Sequence, residues 1–153
     1  MPDVQIRRAT DIDVPAIARI VHDSFAEFIP LIGRAPTPMF DDYAAAAAQG
    51  LAWVLVENDE ISGVAVLDAA EDHLSVRVLV IAPSRRSSGR GRHLIDFIEQ
   101  EARRRGYAEV RLQAHVTMTR SLRFYQTLGY AEYRRTELDG YVRVALRKRL
   151  ARA

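Results

Sequence analysis

A chain of 153 residues, 48% hydrophobic and 27% charged, has the length of one domain spanning 1–153 and the apolar content to bury a real core. It has no cysteine, which excludes disulfides, thiolate metal sites and a cysteine nucleophile, and no apolar run approaches the roughly 20 residues of a membrane helix. The formal charge of +2 is small but its basic residues are clustered, which a nucleic-acid surface would need, although a solvated helix face and a tail are the favoured reading.

In chain order, Val4 to Arg8 alternates apolar and polar residues as a short first strand. Thr10 or Asp11 caps a helix with Pro15 in its first turn, and Ile12, Ile17, Ile20 and Val21 predict an apolar stripe running to about Phe28. Pro30, Gly33, Pro36 and Pro38 break the next stretch into an irregular loop. A second helix is expected from Asp41 to Gln49, ending at Gly50. Ala52–Glu57 and Ile61–Asp68 read as strands joined by a tight turn at Asn58-Asp59-Glu60.

The stretch from Val76 to Arg92 carries the strongest signal. Val76 to Ile81 is β-branched or leucine except for Arg77, so it reads as a buried strand, and Pro83 ends it. From Leu94 the apolar residues Leu94, Ile95, Ile98 and Ala102 recur at helical spacing, predicting a helix from about Arg90 to Arg105. Between strand and helix lie small residues, two glycines and several arginines. Glycine permits close backbone approach, and the free N–H groups of a helix start favour an anion. The loop is built to hold phosphate. The arginines here and at the C-terminus (Arg147, Arg149, Arg152) otherwise read as a solvated helix face and a tail.

Glu109–His115 is the next strand, with Arg111, Gln113 and His115 on its polar face. Thr119 or Ser121 opens a short helix ending at Gly129. Tyr130–Thr136 and Tyr141–Arg147 form a last hairpin turning at Asp139-Gly140. The order β-α-α-β-β-β-α-β-α-β-β is an α/β mixture, and the unit from Val76 to His115 calls for a right-handed crossover between parallel strands.

The phosphate loop is not a P-loop, because no Gly-Lys-Ser/Thr follows, nor a dinucleotide fingerprint, because Leu94 stands where a third glycine belongs. Pro83, Arg86, Gly89 and Gly91 instead resemble the acyl-CoA-binding motif of the GCN5-related N-acetyltransferases, the GNAT superfamily. The element order is also that family's order, and Tyr125, Gly129 and Tyr130 resemble its closing helix. Small bacterial members of unassigned substrate are the most similar in pattern.

The resemblance implies a GNAT fold: a mixed central sheet flanked by helices, with two splayed parallel middle strands. It implies an enzyme moving an acetyl group from acetyl-CoA to a primary amine of a small molecule or peptide, in a ternary complex, with a non-catalytic acyl-CoA-binding regulator as the alternative. The CoA diphosphate would lie on the N–H groups of Arg86, Ser87, Ser88 and Gly89, then Arg90, Gly91 and Arg92. Pantetheine would pair along Leu79, Val80 and Ile81, with the N–H of Val80 or Ile81 facing the thioester carbonyl. Ser121 is the nearest small polar residue where the family often has asparagine, the place itself being taken by Met118.

Tyr125 is the candidate general acid, since a phenol keeps its proton at neutral pH. The family's usual glutamate on the central strand is missing, Arg77 standing in that neighbourhood, so His115, His73 and Glu27 are the candidates for a base, with His115 preferred over His73. Glu27, Phe28 and Phe40 are candidates to bind the acceptor, with Tyr43 as a further wall and Glu27, Asp41 and Asp42 attracting a cation. Acceptor selectivity is expected from the stretch Phe25 to Phe40 and from the last hairpin. No metal, nucleic acid or membrane partner is expected, a homodimer is left open, and the start Met1-Pro2-Asp3-Val4 is not read as a signal peptide, making the cytoplasm the expected compartment.

Overall fold

The computed structural model describes residues 4–86 and 88–151. Seven strands form one mixed sheet. β1 (Val4–Arg8), β2 (Ala52–Glu57), β3 (Glu60–Ala69) and β4 (Leu74–Ile81) run as an antiparallel series. Then β5 (Glu109–His115) lies parallel to β4, and the hairpin β6 (Ala131–Leu138) and β7 (Tyr141–Arg149) closes the far side with β7 innermost. The β2–β3 turn needs only Asn58 and Asp59, both at positive φ, because Glu60 already pairs with Glu57. β6 forms the outer edge, almost wholly exposed, and carries Glu132, Arg134, Arg135 and Glu137, charges that discourage further pairing.

Helices cover both faces. On one, α4 (Arg90–Arg104) buries Leu94, Ile95, Ile98 and Ala102 against residues such as Leu67, Leu74 and Leu112. On the other, α1 (Val14–Phe25) buries Ile17, Ile20 and Val21 against Val54, Val64 and Val80. α1 stops three residues short of the expected Phe28. A 3-10 turn takes over at Ala26–Phe28, and Pro30, whose missing N–H is harmless in a first turn, sits at the start of the one-turn α2 (Ile29–Ile32). α3 is shorter than its sequence pattern, Tyr43–Ala48, because Asp42 accepts the Ala45 N–H and acts as the cap. α5 (Thr119–Thr127) follows β5. None of the described helices is long and apolar enough to cross a membrane.

One irregularity shapes the middle of the sheet. Val66 pairs with Val78 but Leu67 pairs with Val76, so Arg77 is an extra residue on β4, a β-bulge. An extra residue inverts the side-chain alternation beyond it. Leu74 and Val76 therefore face α4, whereas Val78 and Val80 face α1. The bulge also bends β4 away from β5. Their parallel pairing covers only Leu74↔Val110, Ser75↔Arg111 and Val76↔Leu112, although both strands continue.

The start of α4 is pinned from below. Glu57, at the end of β2 and 1% exposed, receives the Arg90 guanidinium, whose Nε lies 3.1 Å from Oε2, with Arg85 at 3.5 Å. The hydrogen bond from Arg90 holds the Glu57 carboxyl below the usual carboxylate range. The folded state thus binds fewer protons than the unfolded state near pH 4. The resulting stability is complete above the unfolded value of about 4.3 and is lost as pH falls through the lower folded value. Glu57→Gln should accordingly destabilise the protein at pH 7, with the difference in thermal midpoint from the parent narrowing as pH falls from about 5 toward 3. Unfolding curves across that range test it, and a constant difference would count against the ion pair.

Candidate active site

The divergence of β4 from β5 opens a cleft whose floor is unpaired strand edge. The Ala82 N–H donates to the Ser62 carbonyl at 2.8 Å across the β3–β4 ladder. Backbone groups alternate sides along an antiparallel strand, so Val78 and Val80 also spend theirs on β3. The N–H groups of Leu79 and Ile81 are left facing the opening. The Ser24 hydroxyl donates to the Ile81 carbonyl at 3.3 Å, which agrees with that orientation. Register therefore assigns the free donors to Leu79 and Ile81 and corrects the expectation for Val80, whose side chain is also buried against α1.

Two cavities meet in this cleft. The larger, about 290 Å³, runs along Leu79 to Ile81 toward Gly89, Gly91 and Arg92. The smaller, about 70 Å³, lies over Val76 to Leu79 and reaches Gln113, His115 and Arg143. Phe25, Leu79, Met118, Ser121 and Tyr125 line both. Those five mark the junction.

At the distal end of the larger cavity the chain enters α4. The first helical bond is donated by His93 to the Gly89 carbonyl, so the N–H groups of Arg90, Gly91 and Arg92 have no partner within the helix. Gly89 sits at φ +83°, a left-handed conformation that a side chain would strain. Gly91 is constrained differently, since a Cβ there would lie 3.2 Å from the Phe124 ring, and Phe124 is a wall of the cavity. Side chains fasten the loop from outside: Arg86 donates to Glu27 at 3.0 Å and to the Ser24 carbonyl at 3.2 Å, Arg90 reaches Glu57, and Ser88 caps the Arg85 carbonyl. Arg92 lines the cavity and forms no ion pair among the described residues. Backbone donors beside an uncommitted guanidinium fit a diphosphate. Ser87 lies outside the described residues.

Tyr125 is 8% exposed and lines both cavities, and its hydroxyl makes no hydrogen bond among the described residues. Burial pushes its phenol up to about 12, so it holds its proton throughout the neutral range. Ser121 lies one turn earlier on α5, at the same junction.

The base candidates fare differently. His73 precedes β4, six residues of strand or roughly 20 Å from Leu79, and pairs with Asp72 at 2.7 Å. The structure does not bring it to the cleft. His115 does line the smaller cavity, but it is buried rather than exposed on a polar face, 6% accessible against the Tyr141 ring at 4.6 Å. Its Nδ1 lies 3.0 Å from the Thr117 hydroxyl and accepts the Thr117 N–H at 3.2 Å, and in the neutral ring that makes this bond the hydrogen is on Nε2 and the lone pair is engaged. Burial, then the nearby charges of Arg34 and Arg143, lower its affinity for a proton further. Glu27 lines the larger cavity, committed to Arg86 and 3.7 Å from Arg120.

The expected acceptor residues also divide. Phe28 lines the larger cavity with Glu27, and Phe40 is 75% exposed and lines neither. Tyr43 is buried under α1, its hydroxyl donating to the Pro38 carbonyl at 2.6 Å. Asp41 pairs with Arg77 at 2.8 Å and Asp42 caps α3. The smaller cavity is walled by Phe25, Arg77, Gln113, Tyr141 and Arg143. The last hairpin is expected there as a segment, but Arg143 itself carries no signal, since in sequence it is one arginine of a basic strand. No group of His, Asp and Glu among the described residues is arranged to hold a metal ion.

Comparison with known proteins agrees with this geometry. Residues 17–130 match the Acetyltransferase (GNAT) family. A Xenopus tropicalis protein, probable N-acetyltransferase 14, is 32% identical over 81 residues, which is 51% of this chain and 39% of that protein. The chain thus matches well under half of that relative's length. Among solved structures, the PaiA N-acetyltransferase of Thermoplasma acidophilum in complex with coenzyme A superposes with a TM-score of 0.81 at 15% identity, covering 97% of this chain and 99% of that one. Arabidopsis thaliana Naa50 in complex with the bisubstrate analogue CoA-Ac-MVNAL gives 0.74 at 16% identity, covering 96% and 99%. At such identities the likeness is one of fold.

Proposed function

The chain belongs to the acetyltransferase (GNAT) family, and from that footing we propose that it is an acyl-CoA-dependent N-acetyltransferase. Acting as a single domain in the cytoplasm, it moves an acetyl group from acetyl-CoA to a primary amine of a small molecule or peptide, by direct attack in a ternary complex. The observation that carries this reading is the unbonded Tyr125 hydroxyl at the junction of two cavities, above a strand edge with free N–H groups. The fold relatives solved with coenzyme A and with CoA-Ac-MVNAL support the same use of the larger cavity.

Acetyl-CoA supplies a thioester carbonyl and a thiolate leaving group. The Ile81 or Leu79 N–H is the donor to the carbonyl oxygen, and one pre-aimed donor is worth about 3–4 kcal/mol where charge develops. The N–H groups of Arg90 to Arg92, with the Arg92 guanidinium, hold the diphosphate. Tyr125 returns a proton to the departing sulfur. No side chain in the smaller cavity serves as a base: its walls carry no carboxylate, and the His115 lone pair is taken by Thr117. The amine must therefore arrive neutral or lose its proton to solvent. That shortage of a base is also the one observation favouring the second reading, a regulator that binds acyl-CoA without turnover.

Calorimetry should find micromolar binding of acetyl-CoA, weakened roughly tenfold or more in Gly91→Val, where the new side chain displaces Phe124. Unchanged affinity would refute this placement of the diphosphate. With an acceptor found from an amine panel, Tyr125→Phe should slow CoA release by roughly a hundredfold while leaving CoA affinity alone. A regulator would instead bind cofactor and turn over no amine.

The kcat/KM of the enzyme should rise with pH toward the pKa of the acceptor amine, near 10 for an alkyl amine. His115 contributes no limb above its ordinary value, because burial and the charges of Arg34 and Arg143 move its titration lower. His115→Gln should leave the position of the rise unchanged, and a rise centred at or below about 6.5 that this variant abolishes would restore His115 as the base.

A further inference from the structure

The acidic residues expected to attract a cationic acceptor are all committed elsewhere. Glu27 is held by Arg86, Asp41 by Arg77, and Asp42 by the first turn of α3. The charge left without an ion-pair partner in and beside the wall of the smaller cavity is positive. Arg143, on β7, lines the cavity and lies 5.2 Å from the Tyr141 ring, its Nη2 donating to the Thr37 hydroxyl at 3.1 Å. Arg34, from the loop after α2, lies 4.9 Å from the same ring and donates to the Leu138 and Asp139 carbonyls. Neither guanidinium forms an ion pair among the described residues. Both act on His115, whose affinity for a proton they depress.

A second, independent observation lies beside them. His115 is 6% accessible, and its Nε2 is a buried nitrogen with no hydrogen-bond partner. Because Thr117 donates to Nδ1, this nitrogen carries the ring hydrogen. An unpaired buried donor is costly, and the group that relieves it must accept a hydrogen bond. The Arg143 guanidinium and a ring N–H, with no carboxylate in the same wall and the Arg34 charge close behind it, are complementary to an oxyanion.

We propose that the acceptor is a primary amine that also carries an oxyanion, foremost a carboxylate, bound by Arg143 and the His115 Nε2–H, with the Arg34 charge on the Tyr141 ring adding attraction from outside the cavity. This rests on the acetyl-transfer reading above. The amine then points to Tyr125 at the cavity junction while the anionic end lies against β7. The same arrangement repels polyamines and other acceptors with a second positive charge.

The test uses matched pairs with acetyl-CoA: L-amino acids against their amides, and O-phosphoethanolamine against ethanolamine. The acid should be preferred over the amide by roughly tenfold to a hundredfold in kcat/KM, the range of a charge-assisted hydrogen bond. The amide's lower amine pKa biases the comparison the other way, so such a preference is unambiguous. A larger ratio for the phosphate pair would name phosphate as the oxyanion. Arg143→Gln should reduce the ratio to within about threefold of unity, and Arg143→Lys should restore part of it.

Calorimetry of the CoA-bound protein with the same pairs gives a readout independent of turnover, in which acids bind and amides do not. Amides or spermidine turned over as well as acids would overturn the proposal while leaving acetyl transfer standing. If no amine is turned over, acetyl transfer fails, and calorimetry alone decides. Equal binding of acid and amide, or binding of neither, overturns the oxyanion site.

Discussion

The structure depends on one extra residue in β4. Arg77, bulged against β3, ends the parallel pairing with β5 after three registers and turns the rest of the strand toward α1. Had the pairing continued, Leu79 and Ile81 would have spent their backbone groups on β5, and no edge would remain for a ligand. The bulge also exchanges the faces of the strand, which lets Val76 pack under α4 and Val80 under α1. Arg77 itself is not idle there. It bridges Asp41 and Asp68, tying the approach to α3 onto the strand at its bend.

A basic loop of this kind would repel itself if its charges were all presented to the same place. Here most are spent on fixing position: Arg85 and Arg90 on Glu57, Arg86 on Glu27. Their carboxylate partners come from β2 and from the 3-10 turn that follows α1, so the loop is clamped from two sides. Preorganisation of this sort costs nothing further when an anion arrives, because the N–H groups of the α4 first turn are already aligned. The larger cavity is positive chiefly through backbone and Arg92, the smaller through Arg143, with Arg34 on the same Tyr141 ring. Tyr125 stands between the two as a neutral, buried phenol.

Much of this was legible in the sequence. The strand ending at Pro83, the two glycines and the helical spacing from Leu94 give a loop and helix start whose local geometry follows from residue type, and the tyrosine of α5 was marked by the same motif pattern. Element order was readable because periodicity and turn residues act over a few positions. Helix ends were less so, since Asp42 and Pro30 act through caps that competing neighbours also offer.

Spatial relations between distant residues were not legible. That His73 lies at the far end of β4 from the cleft, that Phe40 faces solvent, and that Arg143 rather than Asp41 or Asp42 lines the smaller cavity are consequences of register and of who pairs with whom. Sequence by itself determined the α/β element order and a loop suited to phosphate, because these rest on local conformational preference, and it pointed to the family through the resemblance carried by Pro83, Arg86, Gly89, Gly91 and Tyr125. Only the tertiary structure decided which donors stay free on β4, which nitrogen of His115 keeps its hydrogen and what charge the second cavity presents. The free donors depend on the bulge at Arg77, the ring hydrogen on where the Thr117 N–H lies, and the charge of the cavity on the β5–β7 register that sets Arg143 opposite His115, a pairing that no local pattern encodes.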